Sequence, residues 1–101
     1  MAESSEPVGV DDLVWHSETL KKIRRHGGSV RICVEVKNGQ PKFFPQSGRT
    51  GSHKMVGPDS SGRFWTIIID YLGDGQAEPI TAWPSTRKQI RQYEEAITWR
   101  P

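Results

Sequence analysis

The sequence predicts an α+β domain in which a small antiparallel β-sheet packs against an N-terminal helix or helices and one C-terminal helix. Three observations carry this reading. The run RFWTIIIDYL, residues 63–72, is β-branched and aromatic throughout, with apolar side chains on both faces near residues 67–69, as a central strand requires. The next residues, GDG, reverse the chain, so that EPITAW at 78–83 pairs back as the following strand. Beyond it, Thr86 stands three residues before Gln89 in a capping box, and Ile90, Tyr93 and Ile97 share one helical face.

Taken in order, residues 1–10 are small, polar and acidic with one proline, the composition of a disordered lead-in; residues 11–101 make a single domain. DLVWH, residues 12–16, reads as a short strand. Ser17 can then cap a helix through ETLKKIRRH, which has Glu18 in its first turn and Arg24, Arg25 and His26 in its last, and Gly27 and Gly28 stop it. Its apolar face is thin, Leu20 and Ile23, so it should lie on a surface with its basic side in water. In residues 30–37, Val30, Ile32, Val34 and Val36 alternate with polar or small residues, and Asn38-Gly39 follows; by alternation this is a strand entering a tight hairpin. PKFF at 41–44 and HKMVG at 53–57 read as short strands around the loop PQSGRTGS, and PDSSG at 58–62 is turn chemistry. Pro84 ends the last strand before the capped helix.

The chain of 101 residues is long enough for one modest core. Its net charge of +2 conceals an asymmetry. Residues 1–20 hold five of the 12 acidic residues and no Lys or Arg, so all 14 basic residues fall in 21–101, which therefore carries +7. Such an excess suits a polyanion such as RNA or an acidic protein partner, or else a solvated surface. A single cysteine, Cys33, excludes an internal disulfide, and with no apolar run of membrane-spanning length the expected location is cytoplasmic. No zinc spacing, carboxylate cluster or phosphate-cradling glycine loop is present, so neither a metal nor a cofactor is expected.

LVWH before a helix ending in RHG, then GRFWTIIIDY, then ITAWPSTRKQIRQY, in this order and spacing over residues 13–95, resembles the BrnT group of type II toxins, small proteins with a RelE-like fold. Two positions depart from that pattern. Trp83 stands where the group usually has an arginine, and Gln89 where it usually has a glutamate. The resemblance implies a second helix after His26-Gly27, against the alternation reading; Ser29 can cap it, and residues 30, 33, 34 and 37 also trace one helical face.

The function this resemblance implies is a metal-independent endoribonuclease acting on single-stranded RNA and neutralised by an antitoxin protein, the chain being a monomer or part of that complex. Cleavage by the RNA's own 2′-hydroxyl, which leaves a 2′,3′-cyclic phosphate, needs a base, an acid and cations where charge grows on phosphorus. Histidine suits the proton roles and arginine the third. The catalytic candidates are Arg63 at the start of the central strand, His26, and His53 with Lys54; for RNA contact they are Arg49 in the glycine-rich loop, Arg87 and Arg91 one turn apart, and Lys21 and Arg25 on the first helix. Each has a plain alternative: His26 as a helix-end residue, His53 and Lys54 as idle surface groups, Arg63 as a strand-end charge and the helix cations as a solvated face. Tyr93 reads as core, His16 as a strand end. The reading from another class is a non-catalytic nucleic-acid-binding or protein-interaction module on the same fold, favoured by Trp83.

Overall fold

The computed structural model describes residues 9–46 and 51–98. The elements are β1 (Asp12–Leu13), α1 (Ser17–Arg25), α2 (Val30–Asn38), β2 (Lys42–Pro45), β3 (His53–Pro58), β4 (Phe64–Gly73), β5 (Gln76–Pro84) and α3 (Arg87–Thr98). They form an α+β domain on a five-stranded sheet of order β1-β5-β4-β3-β2. The four longer strands are antiparallel, and β1 joins β5 in parallel at one edge, so the sheet is mixed. The expected central strand, β4, is central.

Side chains on β4 alternate between two packed layers. Trp65, Ile67 and Ile69 point to one face, where with Met55 and Ala82 they meet Ile23 of α1 and Cys33 and Val36 of α2. Phe64, Thr66 and Ile68 point to the other, where Tyr93 of α3 sets its ring edge-on against Phe64 at 5.1 Å and donates its hydroxyl to the carbonyl of Gln40 at 3.2 Å. With Trp65 through Ile69 all buried, the strand reads as a continuous apolar run.

Residues 30–38 are helical, and the alternation reading is overturned. Ser29 caps α2 by accepting the Ile32 N–H at 3.1 Å, and Arg31 pairs with Glu35 one turn on at 2.9 Å. A strand would have buried Val30, Ile32, Val34 and Val36 together; the two fully buried residues are instead Cys33 and Val36, three apart on one helical face. Burial pushes the Cys33 thiol up to about 12. Gly39 caps the end of α2 and Gln40 turns left-handed at φ 62°, so Asn38-Gly39 closes a helix and makes no hairpin.

The other turns follow their chemistry. Asp74 and Gly75, at φ 53° and 78°, connect β4 to β5 as a two-residue loop with both central residues left-handed, the twist that matches paired strands. Gly27 and Gly28 end α1 by bonding back to Arg24 and Ile23, at 3.0 and 2.9 Å, in a Schellman arrangement. A side chain at Gly28 would press on Ile23 Cγ2 at 3.0 Å.

Three expectations change in detail, and a fourth falls mostly outside the described residues. His16, not Ser17, occupies the N-cap of α1, without a side-chain cap bond. The first strand shrinks to two residues, Asp12–Leu13. Ile97 is 47% exposed, so the apolar stripe of α3 reaches the sheet only as far as Tyr93. Residues 1–8 of the acidic lead-in lie outside the described residues, while Val10 packs against the core. Among the described residues no helix is long and apolar enough to cross a membrane.

Candidate nucleic-acid interface

The sheet has two distinct ends. One is the β4–β5 turn at Asp74-Gly75; the other, called here the open end, is where Pro58, Phe64 and Pro84 lie side by side. α1 begins at His16, whose Nδ1 lies 2.8 Å from Glu78 Oε2, and it finishes where Gly28 approaches Ala82. It therefore runs along β5 towards the open end, its nine residues spanning about 13 Å, as do the five strand residues from 78 to 82. α3 starts three residues beyond Pro84, so its first turn is also at the open end.

This arrangement sorts the charges. Asp11, Asp12, Glu18, Asp70, Asp74 and Glu78 gather at the turn end. Arg24 and Arg25 from α1, Arg63 before β4, and Arg87, Lys88 and Arg91 from α3 gather towards the open end, all six exposed. None of these six makes an ion pair among the described residues, where the pairs are His16–Glu78 and Arg31–Glu35. The first turn of α3 holds two of the cations and no acidic residue, opposite to what the helix dipole favours and a cost of about 0.3–1 kcal/mol for each charge.

Arg63 is held from beneath. Asp59 Oδ1 accepts from the Ser61 N–H at 2.9 Å, the Ser61 hydroxyl at 2.7 Å and the Arg63 N–H at 3.0 Å, while Oδ2 accepts the Trp65 indole N–H at 2.9 Å. The Arg63 guanidinium lies over the Trp65 ring, 5.0 Å from its centroid. The Ser61 hydroxyl, then the indole and the two backbone N–H groups, hold the Asp59 carboxyl down at about 2. Glu35 is lowered too, first by the Ser60 backbone N–H and then by Arg31. These two acids border a groove of about 340 Å³ between the end of α2 and the 58–60 turn, and their charge makes it unsuited to phosphate.

The catalytic candidates are not brought together. His26 is the exposed C-cap of α1, in the open-end half with Arg63. His53 pairs with Ile69, five residues up β3 from Pro58, about 17 Å away along the strand. Its Nδ1 lies 2.8 Å from the Ser52 hydroxyl, which also accepts the Tyr71 N–H at 2.8 Å, and its ring meets Tyr71 edge-on. Lys54 points to the opposite face, beside Ile68. Lys21 and Arg25 are exposed on α1 in one layer, Arg87 and Arg91 on α3 in the other, and Arg49 lies outside the described residues. Sequence reading passed over the Asp59 anchor, although Asp-Ser-Ser-Gly before an arginine is a pattern for a side chain that closes its own turn. It also passed over Trp83 and Gln89 as a contact: the Gln89 Oε1 accepts from the Trp83 indole at 3.3 Å, the Thr66 hydroxyl at 2.9 Å and the Thr86 N–H at 2.9 Å.

Fold and charge distribution together define a small α+β domain whose open end carries six exposed cations, with Asp59 and Glu35 beside them at the 58–60 turn and Arg63 braced over Trp65. No model of a known protein family matches the chain, and no curated protein matches it.

Proposed function

We propose that the protein binds single-stranded RNA across its open end and acts there as a cytoplasmic, toxin-type endoribonuclease of the BrnT-like, RelE-like kind that needs no metal. The observation that carries this reading is the set of six exposed cations without ion-pair partners among the described residues, two of them set against the dipole of α3. A polyanion supplies the counter-charge these groups lack. In the cleavage step the RNA 2′-hydroxyl attacks the adjacent phosphorus and the 5′-oxygen leaves, while the Arg63 fork meets the charge that grows on the non-bridging oxygens. His26 is the proton carrier in the same half of the molecule. An antitoxin with an acidic segment would neutralise the protein by covering this end.

A second reading has its own support. His53 is about 17 Å along the sheet from the Arg63 end, which leaves one histidine for two proton roles; a binding module without cleavage needs none. Incubation with mixed-sequence single-stranded RNA in EDTA, alongside Arg63→Ala, separates the two. Cyclic-phosphate ends formed by the native chain and lost in the variant support the ribonuclease. Intact RNA bound with salt-sensitive affinity supports the module, and no binding at low salt refutes both.

A further inference from the structure

We infer that Trp83 is a stacking platform for one unpaired base, so that the open end selects single strands with exposed bases over a bare sugar-phosphate chain; this rests on the RNA reading above. Trp65 is a core residue at 1% exposure and Trp15 packs against the core, but Trp83 does neither. It sits on β5 opposite Thr66, hence on the α3 face of the sheet, half-buried. Its indole is tethered by one edge, through Nε1 to Gln89 Oε1 at 3.3 Å. Among the described residues neither ring faces of other aromatics nor cations stack on it, in contrast to Trp65 beneath Arg63 and Phe64 against Tyr93.

The same tether sets the Gln89 amide. Three donors, from Thr66, Trp83 and Thr86, converge on its oxygen, so its NH2 faces away from them and has no partner among the described residues. Beside the ring stand two free N–H donors and the first turn of α3 with Arg87 and Lys88. A flat ring held at its edge, with donors and cations alongside, matches one nucleotide: the base stacks, the amide bonds its edge or a phosphate oxygen, and the cations take the backbone. A duplex keeps its base faces inside the stack and offers none of this surface.

The test is a fluorescence-anisotropy titration of the full chain with a labelled oligouridine of about ten nucleotides and with an oligomer of the same length that carries the same phosphates and sugars but no bases. The native chain is expected to bind the base-bearing oligomer about tenfold more tightly, the scale of one stacked base. Trp83→Leu is expected to bring the two affinities together without altering the salt dependence, and Trp83→Phe, which keeps a ring while losing the tether, to retain most of the preference. Equal binding of both oligomers by the native chain overturns the inference while leaving the RNA reading intact, as does a full preference in Trp83→Leu. Failure of the native chain to bind either oligomer at low salt overturns both. The native comparison and the Phe variant keep the test decisive should Trp83→Leu fold poorly.

Discussion

Replacing Asp59 with alanine should destabilise the domain far more than removal of a surface carboxylate usually does. The reason is Trp65, 1% exposed, whose indole N–H has Asp59 as its partner at 2.9 Å. Alanine leaves that donor buried and unpaired, at a cost of about 1–3 kcal/mol. The loss of three further bonds that close the 59–63 turn adds a few tenths each, because water replaces them at an exposed site, so the expected total is about 2–4 kcal/mol. Urea unfolding followed by tryptophan fluorescence would show a lower midpoint at unchanged slope. Trp65→Phe supplies the decisive control, since it removes the N–H donor itself; in that background Asp59→Ala should cost about 1–2 kcal/mol less. Additivity of the two changes to within about 0.3 kcal/mol would refute the reasoning, because it would mean that the indole bond contributes nothing and the turn alone holds Asp59 in place.

Acid should act through the same carboxylate. Asp59 has its pKa lowered from 3.8 to about 2 on folding and Glu35 is lowered from 4.5, so the stability they contribute is complete above those ordinary values and drains away as pH falls through the folded ones. Unfolding midpoints measured from pH 5 down to pH 2 should fall, with Asp59 contributing about 1 kcal/mol after allowance for solvent screening, and Asp59→Asn should flatten that part of the profile. Ser29→Ala removes the side-chain cap of α2 and should cost about 1 kcal/mol in the same urea assay. The double change Arg87→Gln with Arg91→Gln should leave folding unaltered and reduce the slope of log affinity against log salt by about 1.4 for single-stranded RNA, if both residues contact phosphates.

Much of the architecture was legible because its signals are local. The residues of β4 carry their own β-propensity and two-sided apolarity, GDG carries the left-handed conformations of a two-residue reversal, and the Thr86–Gln89 box is confirmed in both directions, with bonds of 2.9 and 3.2 Å. Residues 30–37 show where locality fails. Their β-branched alternation is genuine, yet a cap at Ser29 and one buried stripe through Cys33 and Val36 win, because the chain reaches that point already lying across the sheet face and a helix is what covers it. A strand at the start of DLVWH was legible, but its parallel pairing with β5 was not, because that is a contact between residues more than sixty positions apart.

The candidate site was legible in its charges and illegible in its geometry. That residues 21–101 are basic could be counted, but which cations share an end depends on α1 running along β5 and α3 starting where β5 stops, and both follow from tertiary packing. The same packing separates what sequence chemistry would unite. His53 and Arg63 are ten residues apart in the chain, but the antiparallel reversal between them places His53 beside Ile69 and Arg63 next to the Pro58–Phe64 pair, at opposite ends of the β3–β4 ladder. A reaction needing both groups on one phosphate would therefore require β3 to slide by several residues past β4, which would carry Met55 out from under Ile67 and expose the core. Any cleavage at this end would have to use groups already there, and Arg63, with its N–H on Asp59 and its guanidinium over Trp65, is the cation among them that the fold braces.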